Sequence, residues 1–309
     1  MPLQISVGPP QLVIHHGQTV WTSELDGHVS DPSDKGLLFR DTRLISNWHL
    51  YANGEKWELT NGGALTHFSA RVFLTNPRIP NQDNDVPART LSLLLGRWMD
   101  GGVHEDIDLT NHGMAHARFN LEIGIRSDFA DLFEIKSSRV VRRGRVSTEW
   151  SDTTQCLRTS YTNQDFLRAI AVTARGDSPA GYANGRLSFA IDLAPGATWH
   201  TCLLYELEDD GERLHAPPDC IAIASASTAE EELQAWNDGA LKLSSPNVET
   251  ERTWRQAVAD MAALRMPVGD EVIPAAGLPW FMAVFGRDSL IVSLQTLPVA
   301  TIFAHGALT

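Results

Sequence analysis

From Gln11 to about Ile223 the apolar residues of this chain recur at every second position, the pattern of an extended strand with one buried face. Ala117, Phe119, Leu121, Ile123 and Ile125 alternate with polar neighbours, and Leu187, Phe189, Ile191 and Leu193 repeat the rhythm. Turn signals punctuate these runs at Asp100-Gly101-Gly102, at Arg143-Gly144 between Val140-Val141 and Val146, and at Pro195-Gly196 between Leu193 and Trp199. Asn53-Gly54 predicts a two-residue hairpin turn that pairs Leu50 with Trp57 and Trp48 with Leu59. Strands that follow one another without crossover helices predict antiparallel pairing, and roughly 200 residues of them predict a mainly β fold, a large sandwich of two broad sheets. Asp128 to Glu134 interrupts the pattern and predicts a single helical turn.

Near Ser225 the period changes. Thr228-Ala229-Glu230-Glu231 reads as a capping box, and Leu233, Trp236, Ala240 and Leu241 then share one helical face. Ser244-Ser245-Pro246 breaks the chain before a second stripe of Trp254, Val258, Met261 and Leu264. A third helix starting near Asp288 carries Leu290, Ile291, Leu294 and Leu297. The expected division is a sandwich over residues 1–224, a helical linker over 225–246 and a further helical unit over 247–309. Its apolar stripes need partners, supplied by the sandwich or, the reading favoured here, by further helices of a longer protein; self-association through exposed C-terminal helices is a third way to cover them.

The chain of 309 residues has length for one large domain or two ordinary ones. Its 25 Lys+Arg against 38 Asp+Glu leave a net charge of -13, which disfavours nucleic acid and anionic membrane surfaces as partners. No run of 18 apolar residues and no export signal occur, and three scattered cysteines without a C-x-x-C pair predict a reduced, cytoplasmic compartment and no zinc or redox site. His112 and His116 have helical metal spacing in a segment that reads as turn and strand, His15 and His16 point apart, and Asp83-Asn84-Asp85 lacks the remainder of a calcium loop. No metal is expected, and without a Walker or dinucleotide fingerprint no cofactor either.

The densest group of chemically suggestive residues runs from Pro274 to Leu290. Asp288 and Arg287 have a plain structural reading, a helix cap and its ion pair. Their functional reading is a neutral-sugar subsite, in which Arg287 and Asp288 grip hydroxyls while Trp280 or Phe281 lies against the C–H face of a pyranose. The other acidic groups, Glu105-Asp106 with Asp108 and Asp128 with Asp131 and Glu134, read as solvated faces. Asp41 and Arg43 read as an ion pair fixing a strand end or a domain contact.

Gly277-Leu278-Pro279-Trp280-Phe281 and Phe285-Gly286-Arg287-Asp288-Ser289-Leu290-Ile291 resemble the opening motif of the (α/α)6 barrel in bacterial and archaeal glycogen-debranching, amylo-α-1,6-glucosidase-like proteins. Gly36 to Ser46, followed by Asn53-Gly54, and Asp128 to Glu134 resemble recurrent segments of the N-terminal sandwich in the same family. The resemblance implies a supersandwich-like domain, a linker and, in 247–309, the first helices of a barrel that releases α-1,6-linked glucose with inversion. It implies an α-glucan or oligosaccharide substrate, with Arg287 and Asp288 holding the glucose. Inversion needs an acid and a base about 6.5–9.5 Å apart. The resemblance places that pair beyond Thr309, so neither is assigned. Related proteins include phosphorylases, which leaves water or phosphate open as acceptor. A non-catalytic carbohydrate-binding protein and a structural module that docks a partner chain remain alternatives.

Overall fold

The computed structural model describes residues 9–30, 34–81, 84–220 and 227–308. The expected boundary at residue 224, the change of period at Ser225 and Asp83 lie outside them. In chain order, β1 (Gln11–His16), β2 (Thr19–Glu24), β3 (Gly36–Phe39) and β4 (Thr42–Ile45) form a four-stranded antiparallel meander. β5 (Asn47–Ala52) and β6 (Glu55–Lys56) flank a turn, and β7 (Glu58–Thr66), β8 (Ser69–Thr75), β9 (Leu91–Asp100) and β10 (Gly102–Asn111) run up and down. β11 (Ala117–Arg126) and the short α1 (Leu132–Ser137) precede β12 (Arg145–Ser151), β13 (Cys156–Asn163) and β14 (Phe166–Gly176). The β part closes with β15 (Gly181–Ala183), β16 (Arg186–Leu193), β17 (Thr198–Asp209) and β18 (Glu212–Leu214). Then come α2 (Thr228–Gly239), α3 (Val248–Ala263), the hairpin β19 (Arg265–Val268) and β20 (Glu271–Pro274), α4 (Gly286–Thr296) and α5 (Ile302–Leu308).

The fold is mainly β with large antiparallel sheets. Nine strands make the larger one, in the order β12-β13-β14-β17-β10-β9-β8-β7 with β18 beside β17, and five make the other, β15-β16-β11-β5-β6. Their inner faces share one apolar core: Trp48, Leu121, Ile123 and Phe189 come from one sheet, Leu95, Ile107, Leu203 and Leu207 from the other. That arrangement is consistent with a sandwich. Within this core the Trp48 indole N–H donates to the Tyr205 hydroxyl at 3.0 Å, joining the two sheets.

Asn53 and Gly54 both have positive φ, at 49° and 85°, as a tight turn requires. The pairing across it ends after Tyr51↔Lys56 and Ala52↔Glu55. Leu59 does not face Trp48; it belongs to β7, pairs with Leu74 of β8 and is exposed. Val140 and Val141 are not strand residues, so Arg143-Gly144 does not turn between two strands, whereas Pro195-Gly196 does turn, between β16 and β17 of different sheets. α2 is capped by Ser227 with Glu230, one residue earlier than the spacing predicts.

The C-terminal elements pack partly on the β layer, through Met266, Ala275 and Met282 against Val20, and partly on one another, through Trp236, Ala262 and Phe303. α4 is turned opposite to expectation for a helix that buries its leucines. Ser289 and Ser293 face inward, their hydroxyls donating to the carbonyls of Pro274 at 3.1 Å and Phe303 at 3.0 Å. Leu290, Ile291, Leu294 and Leu297 are exposed. No described helix is long and apolar enough to cross a membrane.

Candidate functional site

Two segments far apart in sequence meet beside β4. The hairpin turn between β3 and β4 is made by Arg40 and Asp41, both with positive φ. Beyond it, the Arg43 amide donates to Ala130 O at 2.9 Å, and the amides of Phe129 and Leu132 donate to the carbonyls of Arg43 and Asp41 at 3.1 Å each. The Arg43 guanidinium is buried, grips both carboxylate oxygens of Asp128 and reaches Lys35 O at 3.2 Å. The ion pair expected between Arg43 and Asp41 is therefore replaced by one with Asp128. Gly36 leaves room for this arginine: a Cβ there would fall 2.8 Å from the Arg43 side chain and 2.1 Å from Ile45 O, and φ is +139°.

The predicted single turn is α1. Asp131 caps it by accepting from the Glu134 amide at 2.9 Å, and Glu134 reaches back to the Asp131 amide at 3.1 Å. Its second carboxylate oxygen accepts from the Val141 amide at 3.0 Å. Asp128 and Glu134 thus hold structure and are not spare proton carriers.

Trp280 packs, half-buried, against Leu38, Ala130 and Ile135. It lines an open groove of about 1020 Å³ together with Asp128, Glu134, Lys136, Ser138 and Arg142. A smaller hollow of about 300 Å³ shares Asp128, Glu134 and Arg142 and adds Tyr161 and Phe166. The Lys136 ammonium lies 4.1 Å from the Phe281 ring centroid and 5.8 Å from that of Trp280. Phe281 meets Phe285 edge to face at 5.8 Å. Aromatic surface from Trp280 thus stands beside the Lys136 and Arg142 cations and the Asp128 and Glu134 carboxylates along this groove.

The four residues singled out from the sequence therefore divide into two pairs. Trp280 and Phe281 come together at Lys136. Arg287 and Asp288 stand in the first turn of α4, 85% and 44% exposed, with Arg287 Nε 3.6 Å from Asp288 Oδ1, and are not among the residues lining the Trp280 groove. Asp288 does not cap its helix; the cap residue is Phe285, which makes no side-chain bond there. The expectation of solvated acidic faces is corrected at β10, where Glu105 and Asp106 are buried. Glu105 is in phase with Val103, Ile107 and Leu109 on the core side of its strand, a signal present in the alternation itself. His112 and His116 do not form a pair: one meets Ser92 at 2.7 Å, the other Asp192 at 3.0 Å.

A family model described as the N-terminal domain of (some) glycogen debranching enzymes matches residues 14–204. No curated protein matches the chain. Among solved structures it resembles a putative aldose 1-epimerase from Escherichia coli K12, with 10% identity and a TM-score of 0.39 over 65% of this chain and 99% of that one. It also resembles the Slr1438 protein from Synechocystis sp. PCC 6803, with 9% identity and a TM-score of 0.40 over 67% of this chain and 99% of that one.

Proposed function

This chain belongs to the family of N-terminal domains of glycogen debranching enzymes, and from that premise we propose that it supplies the accessory sandwich and one wall of an α-glucan groove to a cytoplasmic α-1,6-glucosidase-like glycoside hydrolase. The observation that carries this reading is the convergence of residues 36–46, 128–134 and 277–281 on one groove beside a half-buried tryptophan. In this proposal residues 247–309 begin an (α/α)6 barrel, and Arg287 and Asp288 hold the terminal glucose. The exposed apolar edge of α4 supports it, because a helix with that face is suited to further helices. Asp128 and Glu134 are committed to Arg43 and to backbone amides, so the acid and base of hydrolysis come from elsewhere.

Calorimetric titration with malto-oligosaccharides tests the reading. Trp280→Ala is expected to weaken binding at least tenfold, about 1.4 kcal/mol, through loss of the stacking surface. Asp288→Ala reports separately on the glucose subsite. Binding untouched by both substitutions, or no heat from the parent chain, would refute it. Glucose release from an α-1,6-branched dextrin by this chain alone is expected to be absent. Light scattering tests the α4 face: any self-association is expected to disappear in Ile291→Glu/Leu294→Glu, and an oligomer indifferent to that change would exclude this face.

A further inference from the structure

The two central strands of the nine-stranded sheet carry a second cluster, on the face turned away from the core. With Val103, Ile107 and Leu109 directed inward, His104, Asp106 and Asp108 of β10 point to the other side. Antiparallel pairing sets Asp106 opposite Cys202 and Asp108 opposite His200 of β17. Residues 215–220, which follow β18, lie over this face, with Pro217 O against His104 and Cys220 Sγ against His200. One donor atom from each of His104, Asp106, Cys202 and Cys220 lies within 4.8 Å of all the others, and the first three residues are buried.

The imidazoles are oriented from behind. His104 Nδ1 donates to Pro217 O at 2.6 Å, which turns Nε2 toward the cluster, 3.0 Å from Asp106 Oδ1. His200 Nδ1 lies 2.8 Å from Asp108 Oδ1, and its Nε2 is 3.4 Å from Cys220 Sγ. An imidazole held through one nitrogen by a carbonyl or carboxylate presents the other in a fixed direction, the usual outer-sphere arrangement around a metal ligand. Gly102 lets the covering segment close down: a Cβ there would sit 2.4 Å from Tyr205 O and 2.8 Å from Ala216 N.

We propose that His104, Asp106, Cys202 and Cys220 bind one divalent ion of the zinc class, with His200 and Asp108 as the polar group behind Cys220. Two sulfurs, one imidazole and one carboxylate select zinc over magnesium or calcium, which take oxygen ligands. Four protein donors leave no open position, so the ion is structural, fastening the segment after β18 to β10 and β17. Tetrahedral zinc places its donors about 3.3–3.8 Å apart, so donors now up to 4.8 Å apart close in on the ion while His104 Nε2 and Asp106 Oδ1, at 3.0 Å, move slightly apart. Both thiol protons, and any proton on His104 Nε2, are displaced to solvent as the ion enters. The chain Cys220–His200–Asp108 also has the connectivity of a nucleophilic triad. A second cysteine and a carboxylate crowd the same sulfur within 4.8 Å, a surrounding that suits a bound cation and leaves an attacking thiolate no clear approach.

The test uses the full chain, purified reduced and without a polyhistidine tag, equilibrated with Zn2+ and freed of excess. Elemental analysis is expected to find about one zinc per chain. Co2+ in its place is expected to give thiolate-to-cobalt charge transfer and tetrahedral ligand-field bands. Cys220→Ser, on the covering segment, is expected to keep the parent circular dichroism and lose at least tenfold in zinc affinity, as is Cys202→Ser; Cys156→Ser, outside the cluster, keeps it. Substoichiometric zinc with no cobalt–thiolate band overturns the proposal and leaves a hydrogen-bonded polar cluster. Parent-like affinity in both variants overturns it too, as does a Cys202–Cys220 disulfide whose reduction restores no metal uptake.

Discussion

Replacing Arg97 with methionine is expected to destabilise the β core by about 3–5 kcal/mol, the cost of leaving a buried charge without its partner. Arg97 Nε bonds Glu105 Oε2 at 2.5 Å, and its Nη1 donates to Gly27 O at 2.7 Å. The guanidinium plane lies between two indoles, 4.3 Å from the Trp21 ring centroid and 4.4 Å from that of Trp48. Tyr205 donates its hydroxyl to Glu105 Oε1 at 2.9 Å while accepting from Trp48, so one network ties the meander to both large sheets. Arg97→Lys keeps the charge but loses the planar fork and the stacking, and is expected to fail as a replacement. Arg97→Met with Glu105→Leu removes both charges and is expected to recover much of the loss. Chemical denaturation monitored by tryptophan fluorescence measures all three; a methionine variant within about 1 kcal/mol of the parent would contradict the assigned role.

The second large effect is on acid stability. Burial, followed by the charges of His67 and His16, lowers His15 to about 3, and both its ring nitrogens are buried without a hydrogen-bond partner among the described residues. Burial, then Arg265 and His16, lowers His67 to about 4, with Glu232 pulling the other way. Burial, then His28 and Lys56, lowers His49 to about 4, opposed by Glu24 and Asp26. These imidazoles are neutral in the fold and take up protons near 6.5 once unfolded. Their contribution is complete above about pH 6.5 and is lost as pH falls toward the folded values, at about 1.4 kcal/mol per pH unit for each fully protected histidine. Between about pH 6.5 and 5.5 ordinary carboxylates stay ionised in the folded and unfolded chain alike, so the histidines dominate the slope there. Thermal unfolding is expected to fall steadily through that window, and more gently in His15→Leu. A profile flat to about pH 5.5, or the same slope in the variant, would show that these rings are solvated.

Much of the architecture was readable from neighbours along the chain. Ala117 to Ile125 is a strand because alternate side chains of β11 need one apolar side, and Asn53-Gly54 turns because both residues accept positive φ. Asp131 and Glu134 lie three residues apart and cap α1 within one turn, so that element too was legible. The candidate groove was visible only in pieces. The aromatic pair at 280 and 281 was identified, but its neighbours Lys136 and Arg142 carry no local signature, and Arg287 and Asp288 stand outside the groove they were expected to share.

Alternation, turn chemistry and capping are settled within a few residues, so the amino-acid order alone determined the strands, most of the turns and the family to which they belong. Which sheet a strand joins, that Arg43 holds Asp128 and not Asp41, and that His104 and Asp106 meet Cys202 were decided by tertiary structure. Those contacts require distant segments to close on one another, and the balance of loop entropy, burial and pairing that chooses among such closures is spread over the whole chain.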